Sequence, residues 1–184
     1  MSAIHEHVLQ NGMTLLCWPQ RHLHGLEFGL YLKGGPLYET EETQGISNLL
    51  EHLCFRGLGG LNREGLLREL NRFGTNLDAA TYAEGLVFRL KCLPRFFDAA
   101  LEYFLRFFAN VPWTPEQIAA EKQVVLRQLE ADGDGDLFDR AACDFRKTEN
   151  GAFPPLGTPE SLMALTEACL LYTSPSPRDY AASR

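Results

Sequence analysis

No stretch of the 184-residue chain holds roughly 18 consecutive uncharged apolar residues, the length a helix needs to cross a bilayer. The first residues, Met1 to His7, lack the basic segment and apolar core of a secretory leader. Positive charge is also scarce: 17 basic residues against 24 acidic ones leave a net charge of −7. A nucleic-acid binder needs a basic face to displace phosphate counterions, and an electrostatic membrane anchor needs a polybasic cluster. No nucleic acid and no membrane are therefore expected as partners. Five cysteines (Cys17, Cys54, Cys92, Cys143 and Cys169) are widely spaced and form no CxxC pair, which excludes a zinc ribbon or a thioredoxin-type site. Reduced thiols and a cytoplasmic location are the expectation.

What is present is ordinary for a folded domain: 45% hydrophobic and 22% charged residues. A chain of this length buries enough surface to need neither disulfides nor a structural metal. Asn11-Gly12 between two apolar runs predicts a hairpin with a two-residue turn. Alternation from Leu26 to Lys33 predicts a third strand, stopped by Gly34-Gly35-Pro36. Helices are expected over Ser47–Phe55 and over Asn62–Phe73, the latter burying Leu66, Leu67, Leu70 and Phe73. Two strands follow at Thr75–Tyr82 and Leu86–Leu93. After Pro94 comes an apolar helix carrying Phe96, Phe97, Ala100, Leu101, Phe104, Leu105 and Phe108. Thr114-Pro115-Glu116 opens a helix running to about Ala131, and further helices are expected at Leu137–Lys147 and from Thr158. Strands and helix pairs in this order define an α+β domain with a mainly antiparallel sheet and helices packed on one face.

One constellation carries chemistry. Asn48, Glu51 and His52 stand at i, i+3 and i+4 and so share a helix face. Two imidazoles one turn apart bind zinc, and a neighbouring carboxylate takes a proton from the bound water. His-x-x-Glu-His is that arrangement in inverted form, and here the first position is Asn. Weaker signals have blander explanations. Asp132-Gly133-Asp134-Gly135-Asp136 lacks the Gly and Glu positions of an EF-hand and reads as a solvated acidic turn. His5, His7, His22 and His24 read as surface histidines. Gly57-Leu58-Gly59-Gly60 lacks the Lys-Ser/Thr ending of a phosphate loop.

The segment Gly45–Gly57, with Asn11-Gly12-Met13-Thr14-Leu15, Gly74–Thr81, Glu121–Gln128 and Leu156–Leu162, resembles the insulinase and mitochondrial-processing-peptidase family of zinc peptidases, peptidase family M16. The resemblance runs in order over about residues 8–167. It implies a sheet of about six strands, with the site helix lying over the sheet. It places the metal ligands at positions 48, 52 and 128 and the catalytic base at Glu51. A supporting glutamate falls at Glu121. Position 128 is separated from His52 by 75 residues, and it is Gln128. Only His52 survives among the ligands; Asn48 and Gln128 offer neutral amide oxygens, poor donors to zinc. Without the ion, the attacking water is not acidified and Glu51 is a weak substitute.

The domain is read as residues 1–167, C-terminally truncated. Residues 168–184 have no apolar period, resemble a sequencing-adapter read-through and are read as a non-native or disordered tail, which would leave four native cysteines. The leading expectation is a non-catalytic subunit or peptide-binding module without a cofactor. It would hold peptide or unfolded polypeptide along Thr75, Asn76, Leu77, Asp78, Ala79, Ala80 and Thr81, beside an active family member. The alternatives are an active zinc metalloendopeptidase, with Zn2+ held by substituted ligands or by Glu51, His52 and Glu121, and a solitary peptide-binding protein.

Overall fold

The hairpin turn is one residue longer than Asn11-Gly12 alone predicts. Strands β1 (His5–Val8) and β2 (Thr14–Cys17) pair antiparallel with Val8 opposite Thr14. The Leu9 N–H then donates to the Met13 carbonyl, and the Gly12 N–H to the Leu9 carbonyl. Gln10, Asn11 and Gly12 form the loop, with Gly12 at φ 81° closing it from the left-handed region. This is a computed structural model, described over residues 3–56, 63–109, 113–131 and 153–173. The acidic run 132–136, the expected helix at 137–147, the glycine turn 57–60, Asn62 and Cys143 lie outside the described residues.

The main sheet has strand order β3 (Leu26–Lys33), β5 (Gly85–Cys92), β4 (Leu77–Tyr82), all antiparallel. Register places Phe28 opposite Leu90, Leu30 opposite Phe88 and Thr81 opposite Leu86. One face therefore carries Leu26, Phe28, Leu30 and Leu32 beside Leu86, Phe88, Leu90 and Cys92, as period-two alternation requires. The expectation of about six strands in one sheet is corrected: among the described residues there are five, in a two-stranded and a three-stranded sheet. The β1–β2 hairpin closes on itself, and every one of its strand positions is exposed.

Helices cover the apolar face. They are α1 (Ile46–Cys54), α2 (Arg63–Arg72), α3 (Phe97–Ala109, after a 3-10 turn at Pro94–Phe96), α4 (Pro115–Ala131), α5 (Pro159–Ala164) and α6 (Glu167–Thr173). Phe28 meets the rings of Phe97 and Phe104 edge-on at 5.7 and 5.2 Å, fixing α3 to the sheet. The predicted apolar stripes of α2 and α3 are narrower in fact. Leu70 and Ala100 are buried, but Leu67 and Leu105 turn to solvent at 49% and 56% exposure, at the margins of their helices' packed faces. No element is predicted after Ala168, yet α6 forms there. The Thr166 hydroxyl accepts from the Cys169 N–H at its start, and Leu170 is fully buried in the core.

What positions α1 is a crossing of two glycines. Gly45 (φ 83°) and Gly157 (φ 71°) occupy the left-handed region. A Cβ on Gly45 would lie 2.6 Å from the Leu156 carbonyl oxygen, and one on Gly157 would lie 2.6 Å from that of Gln44. The Ser161 hydroxyl donates to the Gln44 carbonyl at 3.0 Å, and Thr158 and Ser161 form a reciprocal capping box on α5. The Glu39 carboxylate accepts from the Gly45 and Ser47 N–H groups at 2.8 and 3.0 Å, satisfying donors at the start of α1. Burial raises the Glu39 carboxyl above its ordinary value, while the hydrogen bonds from Ser47 and Gly45 act to lower it. At the other end, the Trp113 indole donates to the Leu53 carbonyl at 3.0 Å.

Substituting Gly157 by Ala should lower stability by more than about 1 kcal/mol, since the new methyl meets backbone at a left-handed position. Urea unfolding should show a lower midpoint with an unchanged slope; a midpoint equal to that of the parent chain would contradict the crossing.

Candidate functional site

Helix α1 is apolar on the faces bearing Ile46, Leu49, Leu50, Leu53 and Cys54, all buried. That burial turns Asn48, Glu51 and His52 toward β4 and α4, where each is half-buried. Thr81 shares the helix-facing side of β4 with Leu77 and Ala79, and its hydroxyl donates to Glu51 Oε2 at 2.5 Å. Glu121, on the buried face of α4, is only 5% exposed. Its Oε1 lies 3.1 Å from His52 Nδ1, and its Oε2 accepts from Arg56 Nε.

Glu121 thus bridges two groups at the C-terminal end of α1. An imidazole donating through Nδ1 presents a bare Nε2, the tautomer in which a histidine ligates a metal. Burial pushes the Glu121 carboxyl upward, but the hydrogen bonds and positive charges of His52 and Arg56 outweigh it and hold the carboxyl below its ordinary value. Close by, burial and then the charge of Glu51 drive the Cys54 thiol up to about 12, so Cys54 is a core residue and not a nucleophile.

Around this bridge lies a pocket of about 270 Å³ lined by Glu51, His52, Phe55, Arg56, Glu121 and Val124. Sequence spacing brings Glu51, His52 and Glu121 together here. Gln128, two turns along α4 from Glu121, is exposed and does not line the pocket. Asn48 does not line it either, and its Oδ1 is buried without a hydrogen-bond partner. The expected edge residues divide: Leu77 to Thr81 lie in β4, whereas Thr75 and Asn76 precede it. The Thr75 N–H is already bonded to the Leu70 carbonyl.

These donors do not fit a zinc ion. Both oxygens of Glu121 are engaged, Asn48 and Gln128 are neutral amides, and among the described residues no three His, Cys, Asp or Glu side chains are grouped to hold a metal. His5, His7, His22 and His24 are exposed. Arg56, the second partner of Glu121, was not singled out by the motif. Its signal is the i, i+4 spacing from His52, which puts its charge on the same side of α1.

An antiparallel sheet covered by helices, with Glu51 and His52 on the helix that meets β4 and α4, is the domain type that the family resemblance implies. Residues 24–142 match the family model for insulinase, peptidase family M16, and the chain belongs to that family. An uncharacterized zinc protease of Rickettsia felis is 28% identical over 162 residues, covering 86% of this chain and 39% of the relative. The mitochondrial-processing peptidase subunit beta of Caenorhabditis elegans is 29% identical over 102 residues, covering 55% of this chain and 22% of the relative. Among solved structures, a peptidase M16 inactive domain from Pseudomonas fluorescens superposes with a TM-score of 0.82 at 17% identity, covering 94% of this chain and 43% of that one. The chain spans about two fifths of the length of the first of these relatives.

Replacing Glu121 by Gln should cost about 2 kcal/mol: the carboxylate is buried, but Arg56 and His52 retain some contact with water. The depressed carboxyl contributes stability above about its ordinary value of 4.5 and loses it as pH falls through the lower folded value. Urea unfolding of the parent and the variant should therefore differ most at neutral pH and converge in acid. A difference independent of pH would sink the assigned bridge.

Proposed function

We propose that this chain is a non-catalytic, peptide-binding unit of the M16 family whose zinc site is lost at two of three ligand positions. The observation that carries this reading is the state of Glu121. Its carboxylate is consumed by His52 and Arg56, in a pocket reached by neither Asn48 nor Gln128. With no ion to acidify water, Glu51 has no strong nucleophile to generate. The Pseudomonas neighbour described as an inactive domain is an instance of this fold without activity.

Peptide binding rests on β4. In the order β3-β5-β4 it is hydrogen-bonded on one side only among the described residues, so residues 77–82 offer a free ladder edge. An extended polypeptide added there gains main-chain hydrogen bonds without a demand on its sequence. Thr81 then joins that edge to Glu51. The mitochondrial relative is named as a subunit, which supports a role beside a second, active family member.

Purified chain should carry well under one zinc per molecule after dialysis at neutral pH, measured by plasma mass spectrometry. Tightly held, near-stoichiometric zinc would instead establish the active metalloendopeptidase. The paired change Asn48→His with Gln128→Glu should gain little zinc, because neither position lines the pocket beside His52; tight zinc in that variant would show that the two substitutions alone removed the ion.

A further inference from the structure

Among the described residues the β1–β2 hairpin forms a sheet of its own, exposed on both faces. A lone two-stranded hairpin is marginal in water; stability comes with a third strand and a covered apolar face. Register puts Val8 opposite Thr14 and Glu6 opposite Leu16 on one face. Val8 and Leu16 are 69% and 64% exposed, and Ile4 and Trp18, next in the same alternation, are each 63% exposed. Large apolar side chains gathered on one surface mark a contact with another macromolecule.

The two edges of the hairpin differ. Strand β1 carries Glu6 between His5 and His7, whereas β2 reads Thr14-Leu15-Leu16-Cys17, with neither a charge nor a proline. Charges and prolines are what keep an edge strand from pairing, so β2 is the unguarded edge. Charge also selects the occupant. From residue 3 to residue 25, Glu6 and Arg21 are the only Asp, Glu, Lys or Arg residues, and they cancel, so the net charge of −7 lies on the rest of the chain. The patch offers no field to steer a charged partner; what fits it is a neutral strand with an apolar face of the same kind.

We propose that β2 pairs antiparallel with β2 of a second copy of this chain, across a two-fold axis, giving a four-stranded sheet in the order β1-β2-β2-β1. Such an axis opposes identical strands and matches each apolar group with its own kind. Side chains of one face stay together only if opposed residue numbers have an even sum, so the axis passes through Leu15, Leu16 or Cys17. Leu16 then lies on the axis or one residue from it. The only carboxylates in this sheet, one Glu6 from each copy, stand at least three strand spacings apart. That is about 14 Å, beyond the screening length of about 10 Å in 0.1 M salt. The pairing uses β2 and not β4, so it is independent of the peptide-binding reading.

Analytical ultracentrifugation of the full chain over a micromolar dilution series tests it. The mass should reach a plateau at twice 20.7 kDa and fall toward one chain on dilution. Tryptophan emission should move to longer wavelength in step, because Trp18 is exposed in the single chain while Trp113, the only other tryptophan, is buried. Leu16→Lys should weaken the dimer at least about tenfold, since two like charges meet near the axis. Leu105→Lys, at an exposed leucine of α3, should leave it unchanged. A mass of one chain at every concentration overturns the proposal, and so does a mass that climbs past two chains without a plateau. A dimer that Leu16→Lys leaves intact, or that both substitutions weaken equally, overturns it too. The dilution series on the unaltered chain does not depend on either variant folding.

Discussion

Every functional distance in this molecule depends on the close crossing of Gly45 and Gly157. Backbone meets backbone there at a separation that leaves no room for a side chain on either residue. A helix entered through such a crossing cannot slide or rotate by a turn without breaking the Ser161 and Glu39 hydrogen bonds at the same place. The C-terminal end is fixed independently by the Trp113 indole. Helix α1 is thus held at both ends by polar contacts and along its length by Leu49 and Leu53, each fully buried. The site residues inherit that rigidity: Glu51 can meet Thr81, and His52 can meet Glu121, only because the helix between the two clamps has one position available.

The crossing also explains why stretches far apart in the chain act as one structural unit. Gly45 opens the site helix, and Gly157 belongs to the Leu156–Leu162 stretch more than a hundred residues later. Neither glycine lines the pocket. Their joint work is to aim α1, and the Thr158–Ser161 capping box does the same for the segment that α1 leans on. Residues of this kind look like functional motifs in a sequence because a close approach tolerates so few alternatives, although they take no part in any chemistry.

How much was legible from sequence follows from which interactions are local. The strands at Leu26–Lys33 and Leu77–Tyr82, and the helix beginning at Pro115, were read closely because alternation, caps and the N1 proline are written within a few residues. The shared helix face of Glu51 and His52 follows from their spacing alone, whereas the Thr81 and Glu121 contacts join them to different elements. Three things were not legible. The hairpin turn depended on the Leu9–Met13 pairing and not on Asn11-Gly12 alone. Leu67 and Leu105 had the right period but sit at the margins of stripes whose width only packing decides. Helix α6 has little intrinsic pattern and is held by the burial of Leu170, a tertiary contact invisible in the residues themselves.

The same distinction governs the site. A motif reports which side chains share a helix face; it does not report what each polar atom is bonded to. His52 and Glu51 read alike as survivors of a metal centre, yet their surroundings differ. His52 is bonded to a buried carboxylate that Arg56 also neutralises, so removing a metal from such a position need leave no unpaired charge behind. Glu51 instead accepts a hydrogen bond from the Thr81 hydroxyl of β4. It lines the same pocket as His52 while joining α1 to the sheet. The residue at the base position is therefore tied to the sheet, whereas the one at the ligand position is tied to α4, a division that helical spacing alone cannot reveal.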